Sequence, residues 1–379
     1  MGACRVLIVG GGPAGSACAW ELRQSGCDVI IIDKRVFPRD KICGGWITPA
    51  VLDDLHIDAG EYAQGRVLQP ITGFRTSCMG GPEIQTDYTA PVSYGIRRFE
   101  FDHFLLQRSG ARLLEGIPLT SLERSEAGWI VNGELCAEVL IGAGGHFCPV
   151  ARFLGANARQ EIAVSAQETE FEMNSRQQAG CVIRPEIPEL YFCPDMKGYG
   201  WCFRKGNFLN VGIGRLDPHS FPRHVAAFLE FLKRSGKIKF PLRGAKMPGH
   251  AYLLFDHTHR KLADDGVLLV GDAAGLAYSQ SGEGIRPAIE SGLLAARAIV
   301  EAKGTYTRQR LAGYQQALGA RFGPPQKNWT TRLGQHLPAA ILECAARVLL
   351  ANGCLSRRVV LERWFLHRED APLCSSASA

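Results

Sequence analysis

The chain has 379 residues, of which 46% are hydrophobic and 21% are charged. This balance excludes a wholly disordered chain, and the length predicts two lobes around a large core. The net charge of +6 comes without a basic or aromatic recognition module, which argues against nucleic-acid binding. The 13 cysteines form no C-x-x-C pair and no zinc-like spacing with histidine, so we expect free thiols and no metal site.

The chain opens with a predicted strand at 5–9, a glycine-rich turn and a helix at 16–25. Gly10 permits the tight turn, Gly12 lets a pyrophosphate approach the backbone, and Gly15 lets the helix pack closely on the strand. The free N–H groups at the helix start face the phosphates. The pattern predicts a dinucleotide site made by Gly10, Gly12, Pro13, Ala14 and Gly15.

A second strand at 29–32 leads into Asp33 and Lys34. A carboxylate at this spacing can accept both hydroxyls of an adenosine ribose. Strand, turn, helix, strand and terminal acid in one unit are more specific than an isolated glycine motif. We therefore add Asp33 and Lys34 to the cofactor-binding residues.

A second glycine-rich segment indicates which dinucleotide is bound. A predicted strand at 266–270 ends in a Gly-Asp pair, and a further glycine loop precedes a helix at 287–302. The aspartate can reach a ribityl hydroxyl, and the loop can offer N–H groups to the flavin ring or pyrophosphate. A purely nicotinamide-dependent enzyme has no use for this second clamp, so FAD is predicted. The residues assigned to it are Gly271, Asp272, Gly282, Gly284 and Ile285.

The segment between the two glycine regions contains a predicted helix at 101–112 and, after it, a different periodicity. Alternating patterns at 164–173, 190–192, 200–203 and 208–213 predict a half-buried antiparallel sheet. The predicted fold class is α/β: a Rossmann-type FAD-binding lobe with an inserted antiparallel β-sheet substrate domain and a short C-terminal helical region. The expected boundaries are 1–71, 99–164 and 266–320 for the FAD-binding domain, 72–98 and 165–265 for the sheet domain, and 321–379 for the C-terminal cap.

The C-terminal region is basic and amphipathic. From Arg321 onward it holds eight Lys or Arg against four Asp or Glu. We expect two or three helices that cap the flavin lobe; the alternative is a surface that contacts anionic lipid or delivers a greasy substrate. The chain start lacks a signal-peptide pattern and no apolar stretch is long enough to span a bilayer, so a cytoplasmic protein, peripheral at the membrane under the alternative, is expected. The interleaved apolar positions are Trp329, Leu333, Leu337, Ile341, Val348, Leu349, Val359, Leu361, Trp364 and Phe365.

Smaller motifs narrow the class. Residues 40–46 read Asp-Lys-Ile-Cys-Gly-Gly-Trp, Arg98 lies four residues before Asp102, and the segment 199–212 carries Phe-Arg-Lys-Gly among aromatic residues. Together with the two glycine segments, these motifs resemble the geranylgeranyl reductase family, in the FAD-dependent group that includes p-hydroxybenzoate hydroxylase. The resemblance covers about residues 4–320. It implies a flavin reductase that saturates isolated isoprenoid double bonds.

The resemblance also implies site residues. Cys43 would sit near the flavin ring and matter for turnover, Arg98 would contact the cofactor, and Tyr199 and Trp201 would line the substrate side with Phe203. An alkene that receives a hydride needs a proton at its other carbon at nearly the same time, so an acid is required in a dry pocket. Cys43 is the candidate acid or a shield of the ring, with a packed thiol as the alternative. Lys205 is the candidate to hold a head-group phosphate, with a solvated side chain as the alternative.

The electron source stays open. The family usually carries an Asp-Gly pair after the central strand, where this chain has Gly144 and Gly145. Either reduced nicotinamide or a separate reductase, including a ferredoxin-like electron-donor protein, is therefore expected to supply the electrons. Because Arg204 replaces the family's usual proline and the C-terminal part is short, the substrate is expected to be a hydrophobic small molecule or lipid of unspecified length.

Two other functions remain open from the sequence. One is an FAD-dependent monooxygenase or halogenase acting on an aromatic or polyketide-like substrate. The halogenase version is less favoured because the Trp-x-Trp-x-Ile-Pro pattern is missing at residues 200–205. The other is a non-catalytic flavin-binding carrier.

Overall fold

The computed structural model describes residues 2–158, 160–216, 220–240, 242, 247–323 and 339–374. These residues form two compact units, each assembled from three separate segments. The described parts of the first unit lie within 2–40, 99–163 and 252–323, and those of the second within 41–98, 164–251 and 339–374. The predicted discontinuous organisation is therefore present.

The strands are numbered in chain order. They are β1 Gly2–Val9, β2 Val29–Asp33, β3 Trp46–Ile47, β4 Leu68–Ile71, β5 Gly73–Cys78, β6 Ile84–Asp87, β7 Ser93–Ile96, β8 Arg112–Glu115, β9 Leu122–Ser125, β10 Gly128–Val131, β11 Leu135–Gly142, β12 Ala163–Glu172, β13 Glu189–Phe192, β14 Gly198–Lys205, β15 Phe208–Arg215, β16 Gly249–Leu253, β17 Ala263–Asp264 and β18 Val267–Leu269.

The helices are numbered in the same way. They are α1 Pro13–Gln24, α2 Pro49–Asp54, α3 Ala59–Ala63, α4 Arg98–Arg108, α5 Pro149–Phe153, α6 Ser175–Gly180, α7 Phe221–Arg234, α8 Ile285–Glu301, α9 Ala312–Phe322, α10 Ala339–Ala351 and α11 Gly353–Leu355. Two short 3-10 turns lie at Phe255–His257 and Gly271–Ala273, and a π-helical segment spans Ser356–Phe365.

The first unit is built on a mostly parallel sheet with β1 at its centre. The strand order is β17-β18-β11-β1-β2-β8, and the hairpin strand β10, with β9 beside it, pairs with β11. β1 pairs in parallel with both β2 and β11. The run Val-Ile-Ile-Ile of β2 is buried, as expected of a parallel strand that is covered on both faces. The predicted α/β class is confirmed.

The helices of the first unit pack where small residues permit close contact. An added Cβ at Gly292 of α8 would lie 2.3 Å from the carbonyl oxygen of Ala14 in α1. Only glycine fits at that approach, because a real Cβ does not come so near a backbone atom. The two glycine segments predicted to act together are thus joined through the pair α1 and α8.

The second unit contains a seven-stranded sheet of order β16-β12-β15-β14-β13-β5-β6 and a three-stranded sheet of order β3-β7-β4. Most pairs are antiparallel, as predicted, but β13 pairs with β5 in parallel. α7 covers one face of the larger sheet with Val225 and Phe228, and that face is apolar. The predicted strands at 164–173, 190–192, 200–203 and 208–213 correspond to β12–β15.

Three predicted boundaries differ from the structure. Residues 41–71 belong to the second unit, because β3 and β4 both pair with β7. Residues 252–265 belong to the first unit, where β17 pairs with β18. Along the chain, α4 ends at Arg108 and β8 begins at Arg112, so the predicted helix at 101–112 is too long at its end.

The predicted location of the C-terminal cap on the flavin lobe is wrong for residues 339–374, which belong to the second unit. The hydroxyl of Ser356 lies 2.7 Å from that of Thr76 on β5, and Phe365 packs against Trp46. Arg321, in contrast, lies in the last turn of α9 in the first unit. The tail positions Lys327, Trp329, Arg332, Leu333 and Leu337 lie outside the described residues.

Candidate functional site

The first glycine turn has the geometry of a phosphate-binding loop. Gly10 has φ 118, and an added Cβ would lie 2.4 Å from the carbonyl oxygen of Ala143. Gly15 approaches the carbonyl oxygen of Gly10 so closely that a Cβ would lie 2.0 Å from it. Gly12 precedes α1, no side chain caps this helix start, and Pro13 and Ala14 form its first turn. Polar N–H groups at the start of α1 are therefore available to an anion.

Gly12 differs from the other two glycines because the space beside it is open. The nearest atom to an added Cβ is a nitrogen of Arg39, at 3.6 Å. The backbone φ of −75 at Gly12 suits any residue, so neither strain nor crowding within the fold requires glycine. A requirement for glycine at this position has to come from a bound group, which fits the predicted approach of a pyrophosphate.

Asp33 stands at the end of β2, where the sequence placed it. Its Oδ2 accepts from the N–H of Gly11 at 2.8 Å, and its Oδ1 accepts from the N–H of Arg35 at 2.8 Å. The carboxylate is held beside the glycine turn, and each oxygen keeps a further acceptor position for a ribose hydroxyl. Lys34 follows with an exposed side chain.

Arg39 is a residue that the sequence analysis missed. Its Nη2 lies 3.2 Å from Oδ2 of Asp102, a fully buried side chain, and its guanidinium lies 4.6 Å from the ring centre of Phe37. This arrangement holds a positive charge beside Gly12. The signal in the sequence is weak, because an arginine six residues after the strand is brought to the turn only by the folded loop. Arg98, predicted to contact the cofactor, begins α4 and is buried.

The second glycine segment lies against the first. An added Cβ at Gly271 (φ 57) would lie 3.0 Å from the Cβ of Ala14, and one at Gly284 would lie 3.4 Å from Oδ1 of Asp272. An added Cβ at Gly282 (φ 67) would lie 2.4 Å from the hydroxyl oxygen of Tyr252. Ile285 is the first residue of α8. The structure thus brings together the two distant segments whose convergence the sequence predicted.

A buried arginine fixes the Gly-Asp turn. Arg260 donates to the carbonyl oxygens of Asp272 and Ala273, at 3.2 and 2.9 Å. The same side chain pairs with Glu161 at 2.6 Å and donates to the carbonyl of His146. Charge-assisted bonds of this kind are stronger than neutral ones, so the turn is rigidly held.

Glu283 orients the loop before α8. Its Oε1 accepts from the N–H of Arg286 at 2.9 Å. Burial raises the pKa of Glu283 to about 7, although the bond to Arg286 and the charge of Arg286 act in the opposite direction. The first unit therefore holds a carboxyl that titrates near neutral pH next to the second glycine loop.

In the second unit, strand register gathers the predicted site residues on one sheet face. Side chains two apart on a strand share a face, and so do directly paired residues of an antiparallel ladder. On β14, Trp201, Phe203 and Lys205 share a face; Trp201 pairs with Gly212, and Phe203 with Asn210. β12 pairs with the other edge of β15, where Glu168 lies opposite Gly212 and Glu170 lies opposite Asn210.

This face, which we call the Cys43 face, carries an aromatic cluster beside a polar network. Tyr199 lies 5.9 Å from Trp201 and 5.3 Å from Phe365, measured between ring centres. Trp46 lies 6.4 Å from Phe203. The predicted substrate-side residues Tyr199, Trp201 and Phe203 are thus neighbours on one face. Trp46 and Phe365 were missed in that role, because only tertiary packing brings them to the sheet.

Cys43 is held by polar groups on both sides of its peptide backbone. Its N–H donates to Oε1 of Glu168, and its carbonyl oxygen accepts from Nδ2 of Asn210 at 3.3 Å. The thiol is half-buried, and its Sγ accepts from the N–H of Gly45 at 3.5 Å. Glu168 was not predicted. A glutamate at inward-facing positions 168 and 170 of an alternating strand is the signal that could have identified the pair.

The structure gives Lys205 neither of its expected roles. Its side chain is 1% exposed, and Nζ lies 2.7 Å from Oε2 of Glu170. The ammonium is therefore neutralised inside the protein, not solvated and not left available for a phosphate. An added Cβ at Gly45, two residues after Cys43, would lie 2.2 Å from the carbonyl oxygen of Ile96, so this position requires glycine.

The two carboxyl groups of the Cys43 face have opposite protonation behaviour. Burial raises the pKa of Glu168 to about 7, against the lowering effect of the Cys43 N–H and of Lys205. Burial acts on Glu170 in the same direction, but Lys205, Asn210 and Arg97 together outweigh it and the pKa is lowered. Such separated carboxyl pairs are how one site keeps an acid and a base at the same pH.

Comparison with known proteins is consistent with this arrangement. A family model described as an NAD(P)-binding Rossmann-like domain matches residues 8–62. Menaquinone reductase of Mycobacterium tuberculosis is 30% identical over 327 residues, which is 78% of this chain and 76% of that protein. The chain belongs to the geranylgeranyl reductase family of FAD-dependent oxidoreductases.

Further relatives agree with this assignment. Digeranylgeranylglycerophospholipid reductase 3 of Methanosphaera stadtmanae is 28% identical, with 86% of this chain and 84% of that protein covered. A geranylgeranyl bacteriochlorophyll reductase-like structure from Thermoplasma acidophilum has a TM-score of 0.76 at 22% identity, with 97% and 98% of the two chains covered. A probable FAD-dependent monooxygenase from Pseudomonas aeruginosa shares the fold at a TM-score of 0.66 and 20% identity, covering 91% and 98%.

The residues of the first unit fit the FAD that this family uses. Gly12 leaves open space at a helix start, Asp33 is fixed at the strand end, and the Gly271–Asp272 turn is held against Ala14. We conclude that the chain is an FAD-dependent oxidoreductase, as the sequence predicted. No helix among the described residues has the length and apolar character needed to cross a bilayer.

Proposed function

We propose that this enzyme reduces a carbon–carbon double bond of a hydrophobic, isoprenoid-like substrate. The observation that carries the proposal is the Cys43 face, where an aromatic cluster lies beside a half-buried thiol and a carboxyl whose pKa is raised to about 7, so that part of it is protonated at neutral pH. Similarity to two relatives, a menaquinone reductase and a digeranylgeranylglycerophospholipid reductase, supports a prenylated substrate.

The cofactor residues proposed for the first unit have distinct tasks. Gly12, Ala14 and Gly15 present N–H groups to the pyrophosphate, Gly10 and Pro13 shape the turn and the helix start, and Arg39 adds a positive charge. Asp33 and Lys34 hold the adenosine end. Asp272 and the N–H group of Gly284 serve the flavin end, while Gly271, Gly282 and Ile285 shape the turns and the helix start around it. Arg98 contacts the cofactor. Reduced flavin, when bound, supplies the hydride.

On the Cys43 face, the chain's own groups supply apolar contact and a proton. Tyr199, Trp201 and Phe203 offer flat surfaces to an unsaturated hydrocarbon. Cys43 is the proposed proton donor, since its thiol is half-buried and its backbone N–H is bonded to a carboxyl that can be protonated at neutral pH. Lys205 is a positioning residue in this scheme: it keeps Glu170 ionised, so that only Glu168 of the pair carries a proton.

Anaerobic turnover tests the proposal. The protein, loaded with FAD and reduced by dithionite, is mixed with prenylated quinones and prenyl lipids, and products are identified by mass spectrometry. We expect a product that has gained two hydrogens, and much less of it from Cys43→Ser. Products that gain one oxygen in air would establish a monooxygenase, and a protein that binds FAD but cannot be reduced would be a carrier.

We further propose that a separate reductase supplies the electrons. An added Cβ at Gly144 would lie 3.2 Å from Sγ of Cys148, so the position is crowded for the aspartate usual in the family. Anaerobic titration with NADPH or NADH then leaves the flavin oxidised, whereas dithionite bleaches it. Rapid bleaching by either nicotinamide would refute this donor assignment.

We also propose peripheral contact with an anionic membrane through the C-terminal segment. Ile341 and Val348 are 51% and 58% exposed and lie seven residues apart on α10, and Leu355, which is 39% exposed, ends the short helix α11 that follows. Exposed Arg347, Arg358 and Arg363 accompany them. A cavity of about 290 Å³, lined in part by Leu350 and Arg347, opens beside α10 and suits part of a lipid. Apolar and basic groups together are typical of surfaces that bind anionic bilayers.

A further inference from the structure

We propose that Glu168 and Asn210 are positioning residues for Cys43, and that Glu168 makes the order of the Cys43 backbone depend on pH near neutrality. The inference rests on the proposed function only in giving Cys43 a role in turnover. The contacts that carry it all lie within the second unit.

The first observation is that both backbone polar groups of one residue, Cys43, are held by side chains of the sheet. Glu168 on β12 accepts from the N–H of Cys43, and Asn210 on β15 donates to its carbonyl oxygen at 3.3 Å. Cys43 itself lies in a loop between β2 and β3. Two side chains from the sheet thus fix the backbone of a residue that lies in a loop.

The second observation is that Asn210 cannot rotate freely. Its Oδ1 accepts from Nε1 of Trp201 at 2.7 Å, and its Nδ2 also donates to Oε2 of Glu170 at 3.2 Å. The indole N–H has to meet an oxygen, so it fixes which end of the amide faces Cys43. Glu170 is in turn fixed by Lys205 at 2.7 Å. The support of the Cys43 carbonyl is therefore anchored to Trp201 and to the pair formed by Lys205 and Glu170.

Glu168 provides the part of the Cys43 support that changes with pH. Its side chain is 4% exposed, and among the described residues its Oε2 is buried with no hydrogen-bond partner. A buried carboxylate oxygen without a donor favours the protonated form, and burial raises the pKa of Glu168 to about 7. The other groups around it are Glu170, which raises that pKa, and the Cys43 N–H, Lys205 and the Asn210 side chain, which lower it. Arg97 pairs with Glu170, and Lys41 contacts His250 on β16.

Protonation changes the strength of the bond to Cys43. An ionised carboxylate accepts from an N–H roughly twice as strongly as a neutral acceptor does. Above the pKa of Glu168 the Cys43 N–H is firmly bound, and below it the bond weakens while the bond to Asn210 persists. The Cys43 backbone is then held firmly at its carbonyl oxygen only.

Amide hydrogen exchange on the FAD-loaded protein tests this directly. Peptides that cover residues 41–46 are followed by mass spectrometry at a series of pH values from about 6 to about 8, and each rate is corrected for intrinsic exchange. We expect the protection of this segment to rise by about tenfold across the series. Glu168→Gln should show low protection with no such rise.

Glu172→Gln is the matched control, since Glu172 is an exposed residue of the same strand. It should retain the wild-type rise. A flat profile in the wild type overturns the inference without any variant, as does a rise of wild-type size in Glu168→Gln. If Cys43→Ser turns over normally while the protection profile holds, the thiol's proposed chemistry fails and the positioning role stands.

Discussion

The ammonium of Lys205 lies 2.7 Å from Oε2 of Glu170, with the lysine side chain 1% exposed and the glutamate 20% exposed. Lys205, for which the sequence suggested a role in binding a phosphate, is therefore part of the internal support of Cys43. Glu170 also accepts from Asn210, the residue that holds the Cys43 carbonyl. The cation therefore acts on the site through two intervening side chains.

Removing Lys205 should be strongly destabilising. Lys205→Met leaves Glu170 partly buried without its main cation, and breaking such a pair costs about 3 kcal/mol of unfolding free energy. Glu170 has a lowered pKa, so the stability it contributes is present above its unfolded pKa of 4.5 and is lost as the pH falls through its lower folded pKa. Urea unfolding should show the deficit at about pH 7 and a smaller one under acid conditions. The exposed Lys233→Met is the control, and an equal deficit there would contradict the assignment.

Glu168→Gln should raise global stability at alkaline pH while it loosens Cys43 locally. The folded pKa of about 7 exceeds the unfolded value of 4.5, so the folded state binds the extra proton. Wild-type stability therefore falls between these two values as the pH rises, by up to about 3 kcal/mol. Urea unfolding at about pH 8 should favour the variant, and the advantage should vanish below pH 4.5. A constant difference at all pH values would mean that Glu168 is not the titrating group.

Gly12 and Gly15 should respond differently to the same change. Gly12→Ala meets open space, so the apo protein should lose less than about 1 kcal/mol, but the new methyl group should block the pyrophosphate. Gly15→Ala would place its Cβ 2.0 Å from the carbonyl oxygen of Gly10 and should destabilise the fold itself. Thermal unfolding of the apo proteins and flavin retention after gel filtration separate the effects. A Gly12→Ala protein that remains fully yellow would count against the phosphate site.

Arg260→Met should weaken the second glycine turn. The change removes the bonds to the carbonyls of Asp272 and Ala273 and leaves the mostly buried Glu161 without its cation. We expect a loss of about 3 kcal/mol in urea unfolding together with poorer flavin retention. Arg260→Lys keeps the charge but not the forked geometry, so its effect should be intermediate. An unchanged free energy of unfolding in Arg260→Met would show that the Gly271–Asp272 turn is stable without Arg260.

Val348→Asp should reduce binding to anionic vesicles if α10 contacts lipid. Co-sedimentation with phosphatidylglycerol vesicles should fall by about tenfold, since a charge replaces an exposed apolar residue and also repels the anionic surface. Vesicles of phosphatidylcholine should bind weakly in every case. Val182→Asp, at a position 46% exposed, is the control and should bind as the wild type does. Wild-type protein that remains in the supernatant with both vesicles would exclude this surface.

The sequence by itself determined the cofactor half of the protein. A glycine turn between a buried strand and a helix, followed by a second strand ending in Asp33, is a local pattern whose geometry follows from chain connectivity. The alternation on β14 likewise placed Tyr199, Trp201 and Phe203 on one face, because side chains of a strand point to opposite sides in turn.

Only the tertiary structure decided how the site residues are supported. Arg39 reaches the glycine turn by loop folding, and Glu168, Asn210 and Cys43 come together from three distant segments through strand register. The C-terminal segment packs on the second unit through Ser356 and Phe365, a choice that amphipathic periodicity cannot make. Periodicity tells which side of an element is apolar, whereas the identity of the surface that covers it depends on contacts far apart in the chain.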